Sequence, residues 1–205
     1  MKTSHIEFLI EEPSMEACLQ NLLPKLLAEE ITFQIHVFQG KRALLDNLGN
    51  RLRGYAKWLP RSFRIIIVVD CDDNECHELK RQLEKLVSDT GLMLGARSRR
   101  SWQVLIRIAI EELEAWLLGD MEAIRTVYPR VSATAEKKAT YRDPDSIRGG
   151  TWEALERLLK NAGYFKSGLR KVEAARAISI HLVPERNRSH SFQVFRSALS
   201  EIIPS

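Results

Sequence analysis

Two short acidic runs carry the chemistry of this chain. Glu11-Glu12 closes an apolar stretch at residues 5–10, and Asp70-Cys71-Asp72-Asp73 closes the β-branched stretch Ile65-Ile66-Ile67-Val68-Val69. Carboxylates at the carboxyl ends of parallel strands occupy the place where open α/β sheets bind ligands. Several of them meeting there repel one another unless a cation intervenes, and hard cations such as Mg²⁺ or Mn²⁺ prefer carboxylate oxygens. Asp70 and Asp72 form a D-x-D whose i and i+2 side chains can reach one ion, with Glu11 supplied by a neighbouring strand. Such an ion polarises a phosphoryl oxygen, activates water or orients a leaving group. Each acidic residue taken alone reads equally well as a partner of a helix N-terminal dipole; Asp73 and Glu12 fit that role.

A second acidic group lies at residues 111–120. If residues 111–118 are helical, Glu112, Trp116 and Asp120 stand at i, i+4 and i+8 on one side, with Glu114 on the other. Glu112 then supplies a second ion position, and Trp116 belongs to the core. The densest basic cluster is Arg97, Arg99 and Arg100, followed by Trp102. It suits phosphate contacts with an aromatic ring available for stacking, or an exposed loop entering a strand. Cys71, Cys76 and His77 lack the second half of a zinc motif. An odd count of three cysteines argues against a disulfide framework.

Elements that can position these groups follow from periodicity. Strands are predicted at residues 5–11, 32–38, 64–69 and 102–110, and helices at 15–29, 41–58, 74–89 and 111–118. Residues 64–69 form an unbroken β-branched run, which marks a strand covered on both faces. Four alternations of strand and helix predict a mainly parallel sheet with helices on both sides. Beyond residue 120 the pattern is helical: a long polar loop over 130–150, then helices at 151–162 with Thr151 as N-cap, 169–182 and 190–203.

Residues 1–129 hold 17 Lys/Arg against 19 Asp/Glu, whereas residues 130–205 hold 14 against 8. An acidic first part and a basic second part suit a metal-dependent enzyme acting on a polyanion, although so mild an excess equally describes a solvated helical surface. No apolar run approaches the ~20 residues of a membrane span, and the opening residues lack an apolar signal region, so a cytoplasmic protein is expected.

A Glu closing the first strand and a D-x-D closing a later one is the pattern of Toprim domains, found in topoisomerases, primases and OLD-family nucleases. More narrowly, the chain resembles the DUF4276 family of Toprim-like proteins. The resemblance is carried by Glu11-Glu12-Pro13-Ser14-Met15-Glu16, by residues 108–120, by Lys171, and by Asn187-Arg188-Ser189-His190-Ser191-Phe192. At position 12 the family has Gly, and this chain has Glu.

The resemblance implies an α/β fold: a Toprim-like, Rossmannoid core over residues 1–120, with residues 121–205 as a helical region packed on it. It implies Mg²⁺- or Mn²⁺-dependent phosphodiester chemistry on nucleic acid, as in a nuclease, with Glu11, Asp70 and Asp72 as metal ligands. Glu112 and Lys171 would support catalysis, and Arg97, Arg99, Arg100 and Arg188 would contact nucleic acid. The alternative is a non-catalytic nucleic-acid-binding or regulatory subunit working with a separate ABC- or AAA-type ATPase, since the chain has no P-loop motif.

Overall fold

The computed structural model describes residues 2–71, 76–95, 102–110 and 112–202. Asp72, Arg97, Arg99 and Arg100 lie outside them. Four strands, β1 (His5–Ile10), β2 (Thr32–Val37), β3 (Phe63–Cys71) and β4 (Val104–Ile110), form one parallel sheet in the order β2-β1-β3-β4. The β-branched run sits in central strand β3, where residues 65–69 are buried on both faces. In edge strand β2 Ile35 is buried, Thr32 and Gln34 are exposed, and the other residues are half-buried.

Helices α1 (Pro13–Leu26), α2 (Lys41–Trp58) and α3 (Cys76–Ser88) connect the strands. Alternation along each strand divides the core in two. Ile6, Phe8 and Ile10 of β1 and Ile66 and Val68 of β3 pack with Leu19 and Leu22 of α1 and with the C-terminal helices. Leu9, Ile65, Ile67 and Val69 face Leu44, Leu48 and Leu52 of α2 and Leu83 of α3. The first of these two cores is continuous through Trp116, Leu155, Ile178 and Phe195, so residues beyond 120 share a core with the sheet.

After β4 come α4 (Leu113–Leu118), α5 (Met121–Val127), α6 (Thr151–Asn161), α7 (Lys171–His181) and α8 (His190–Ser200). Three short 3₁₀ turns punctuate the long loop between α5 and α6. Four local expectations change. Helix α4 begins at Leu113, with Glu112 extended before it (φ −153°, ψ 172°). Helix α5 was not anticipated. The N-cap of α6 is Gly150, at φ 85°, and Thr151 is the first helical residue. Cys71 and Cys76 are joined by a disulfide. Among the described residues no helix is long and apolar enough to cross a membrane.

Candidate active site

The carboxyl ends of three strands deliver acidic side chains to one lysine. Lys171, the first residue of α7, places Nζ 3.6 Å from Glu112 Oε1 and 3.9 Å from Glu114 Oε1. It also lies over the Trp152 ring, 5.3 Å from its centroid. Burial alone would lower its pKa, but Glu114, Glu12, Glu112 and Asp70 together raise it above the ordinary lysine value. Lys171 is therefore a fixed positive charge across neutral pH.

Sheet geometry explains why Asp70 and Glu12 meet there. Ile10 pairs with Val68, so two residues further on Glu12 comes level with Asp70 on the same side of the sheet. That is the side of α1, α4 and α7. Glu11 lies just beyond β1, which ends at Ile10. Glu12 is the carboxylate just beyond β1 whose charge acts on Lys171. It occupies the N-cap of α1 and accepts a hydrogen bond from Ser14 Oγ. Glu11 is half-buried, and its carbonyl accepts from Gly40 N at 3.1 Å.

Glu112 and Glu114 also depart from the expected geometry. An unbroken helix over 111–118 would set them on opposite sides. Because Glu112 is extended and the helix starts after it, both approach Lys171. Glu112 Oε2 accepts from Thr151 Oγ1 and from Trp152 N, each at 2.9 Å, and so caps α6 through space. Glu114 is 1% exposed, and among the described residues its Oε2 has no hydrogen-bond partner. Burial, reinforced by Glu112 and Glu12 and opposed by Lys171, pushes its carboxyl up to about 7.

Beside this cluster opens a cleft of about 890 Å³. Cys71, Cys76, Ile110 and Glu112 line one wall, and Arg148, Gly149, Gly150 and Trp152 line the other. Both glycines have positive φ (82° and 85°), which lets the loop turn sharply into α6. The Asn-Arg-Ser-x-Ser-Phe stretch holds this wall in place. Ser189 Oγ and Ser191 Oγ donate to Asp145 Oδ1 at 2.9 and 2.6 Å, and His190 N donates to Oδ2. Asn187 Nδ2 donates to the Trp116 carbonyl at 2.7 Å, and a Cβ at Gly119 would fall 2.0 Å from Asn187 Oδ1.

The remaining sequence candidates lie elsewhere. Arg188 directs its guanidinium at the carbonyls of Tyr141 and Arg142, 3.3 and 3.4 Å away, and clamps the loop. Asp120 caps α5 and receives a two-pronged ion pair from Arg186. Trp116 is a core residue, stacked 4.9 Å from Phe195. Among the described residues, no three His, Cys, Asp or Glu side chains already stand in metal-ligating geometry.

A family model described as a domain of unknown function (DUF4276) matches residues 10–200. No curated protein and no solved structure matches the chain.

Proposed function

The chain belongs to the DUF4276 family, and from that premise we propose that it is a Mg²⁺- or Mn²⁺-dependent phosphodiesterase of the Toprim type, a nuclease. One observation carries the reading: Glu112 and Glu114 stand 3.6 and 3.9 Å from the Lys171 ammonium at the carboxyl edge of a parallel sheet, and the charges of Glu12 and Asp70 also act on it. The donor set suits the group. It is all oxygen, as hard cations require. Among the described residues, the Glu114 Oε2 atom is buried without a hydrogen bond. Mg²⁺ commonly takes only one or two carboxylates, with water and substrate phosphate completing its shell, so a pre-assembled triad is not required. Asp72, expected from sequence as a third ligand, lies outside the described residues.

A bound ion would supply Lewis-acid polarisation of the phosphoryl group and activation of water. The protein's own residues then have distinct tasks. Lys171, cationic throughout the neutral range, offsets charge developing on a phosphoryl oxygen. Glu112, fixed by Thr151 and Trp152, holds the rim of the cleft in register with α6. Without an ion, burial above all holds the Glu114 carboxyl up to about 7, so an ion bound beside it would displace a proton. The cleft between Cys76 and Trp152 takes the nucleic-acid strand, with Arg148 on its wall for phosphate contact.

A second reading is favoured by one feature. Glu112 already spends an oxygen on capping α6, as expected of a scaffold that keeps the acidic site without turnover. Such a chain would bind nucleic acid or regulate a separate ATPase. The test is incubation of the purified protein with plasmid DNA, single-stranded DNA and RNA in Mn²⁺. Cleavage that disappears in Asp70→Ala supports the nuclease. Salt-sensitive binding without cleavage, unchanged in Asp70→Ala, supports the scaffold.

A further inference from the structure

A covalent feature borders the carboxylate cluster. The sulfurs of Cys71 and Cys76 are bonded, and both residues line the cleft. Cys71 directly follows Asp70 and is buried at the end of β3. Cys76 is the first residue of the 13-residue helix α3 and is partly exposed. Between them lie Asp72, Asp73, Asn74 and Glu75. The bridge therefore joins the end of β3 to the start of α3.

Two arguments separate this bridge from a structural staple. Disulfide stabilisation by the loop-closure mechanism grows with ring size, and this ring spans a sequence separation of only 5. A cysteine in the first turn of a helix also has its thiolate favoured by the helix dipole. An accessible, thiolate-prone sulfur paired with a buried one is the arrangement in which exchange is directed to a single sulfur.

We propose that Cys71–Cys76 is a reversible redox site for a small thiol of the glutathione class, and that its state sets the placement of Asp70 in the acidic cluster. The second part rests on the metal-site reading above. In the reducing direction a glutathione thiolate attacks Cys76 Sγ from the cleft, and the Cys71–Cys76 bond breaks. Cys71 leaves as a thiolate and takes up a proton. A second glutathione thiolate attacks the glutathione sulfur of the mixed disulfide, giving oxidised glutathione and the Cys76 thiolate. Oxidation is the reverse: Cys76 attacks oxidised glutathione, and Cys71 resolves the mixed disulfide. Two electrons pass between the pair and two glutathiones in either direction.

The experiment equilibrates the full chain in buffers of varied reduced-to-oxidised glutathione ratio. It counts free thiols by alkylation and mass, and measures Mn²⁺ affinity of the oxidised chain, the reduced chain and a Cys71→Ser/Cys76→Ser double variant. Cys18 is buried, with its thiol pushed up to about 12 by burial above all, so it leaves the count undisturbed. The expected result is a reversible two-thiol transition accompanied by a change of about tenfold in Mn²⁺ affinity, the scale on which residues supporting metal ligands act. The double variant should match the reduced chain. A bridge that survives excess reduced glutathione in the folded protein overturns the redox site and leaves the metal reading standing. Equal Mn²⁺ affinity in all three forms overturns the coupling alone. Absence of Mn²⁺ binding in every form overturns the metal reading and the coupling with it, while the thiol count still decides the redox site.

Discussion

Asp120 and Glu114 are both about 1% exposed and lie six residues apart, yet their surroundings are opposite. Asp120 accepts from Ala123 N, Val183 N and Arg186 Nε and Nη2, all between 2.8 and 3.2 Å. Glu114 has a backbone hydrogen bond and the Lys171 ammonium at 3.9 Å, beside two neighbouring carboxylates, and among the described residues its Oε2 has no hydrogen-bond partner. A buried carboxylate supplied with donors holds a fold together. One left short of donors is maintained at a cost, and such groups cluster at functional sites. The comparison assigns Asp120 to architecture and Glu114 to chemistry, although both sit in the same acidic segment of the sequence.

Substitutions can break or sharpen that contrast. The largest effect is expected at Asp120. Asp120→Ala strips Arg186 of its buried partner and uncaps α5, and should lower unfolding free energy by about 3–5 kcal/mol in urea titrations. A loss under about 1 kcal/mol would place Asp120 outside the architecture. Next comes Lys171→Met, for which cleavage should fall about 100-fold or more, the scale of losing one charge-stabilising group, with the fold retained by circular dichroism. Unchanged turnover would remove Lys171 from the chemistry.

Glu114→Gln works in the other direction. The folded-state pKa of Glu114 stands near 7, above the ordinary 4.5. The native protein without an ion therefore binds this proton more tightly than the unfolded chain. Stability from this group is fully present below about 4.5 and is lost as pH rises through about 7. The substitution should flatten stability between pH 5 and 8 and add up to about 3 kcal/mol at pH 8, while weakening Mn²⁺ binding. A pH profile identical to that of the unmodified chain would show that Glu114 finds partners after all. The smallest effect belongs to Arg188→Ala. Its two loop-clamping bonds are long, at 3.3 and 3.4 Å, so about 1 kcal/mol is expected from thermal melts. Loss of nucleic-acid affinity without loss of stability would return Arg188 to the binding surface.

Much of this was readable from residue order, for reasons that differ by element. The unbroken β-branched run had to be a central strand, because only a strand covered on both faces accepts apolar side chains at every position. Helix α2 appears over the predicted 41–58, since its leucines repeat at helical spacing. Asp70, Glu112 and Lys171 were singled out as site residues; Glu112 stands 3.6 Å from Lys171, and the charge of Asp70 acts on the same ammonium. Glu11 was selected over Glu12 by strand position and by the Toprim resemblance, whereas it is Glu12, the N-cap of α1, whose charge acts on Lys171. Glu114 was set aside because a helix assumed to start at residue 111 turned it away from Glu112. One extended residue before the helix reverses that, and no periodicity announces it. The Cys71–Cys76 bond and the Asp145 anchor of the cleft wall depend on through-space proximity, which spacing alone does not encode.

The most direct test of the metal-dependent reading is an anomalous difference map from crystals of the full chain grown with Mn²⁺. The account predicts a peak about 2.0–2.3 Å from a carboxylate oxygen of Asp70, shared with at least one of Glu12, Glu112 and Glu114. A map with no peak in this cluster at saturating Mn²⁺, with Lys171 alone balancing the acids, would contradict it.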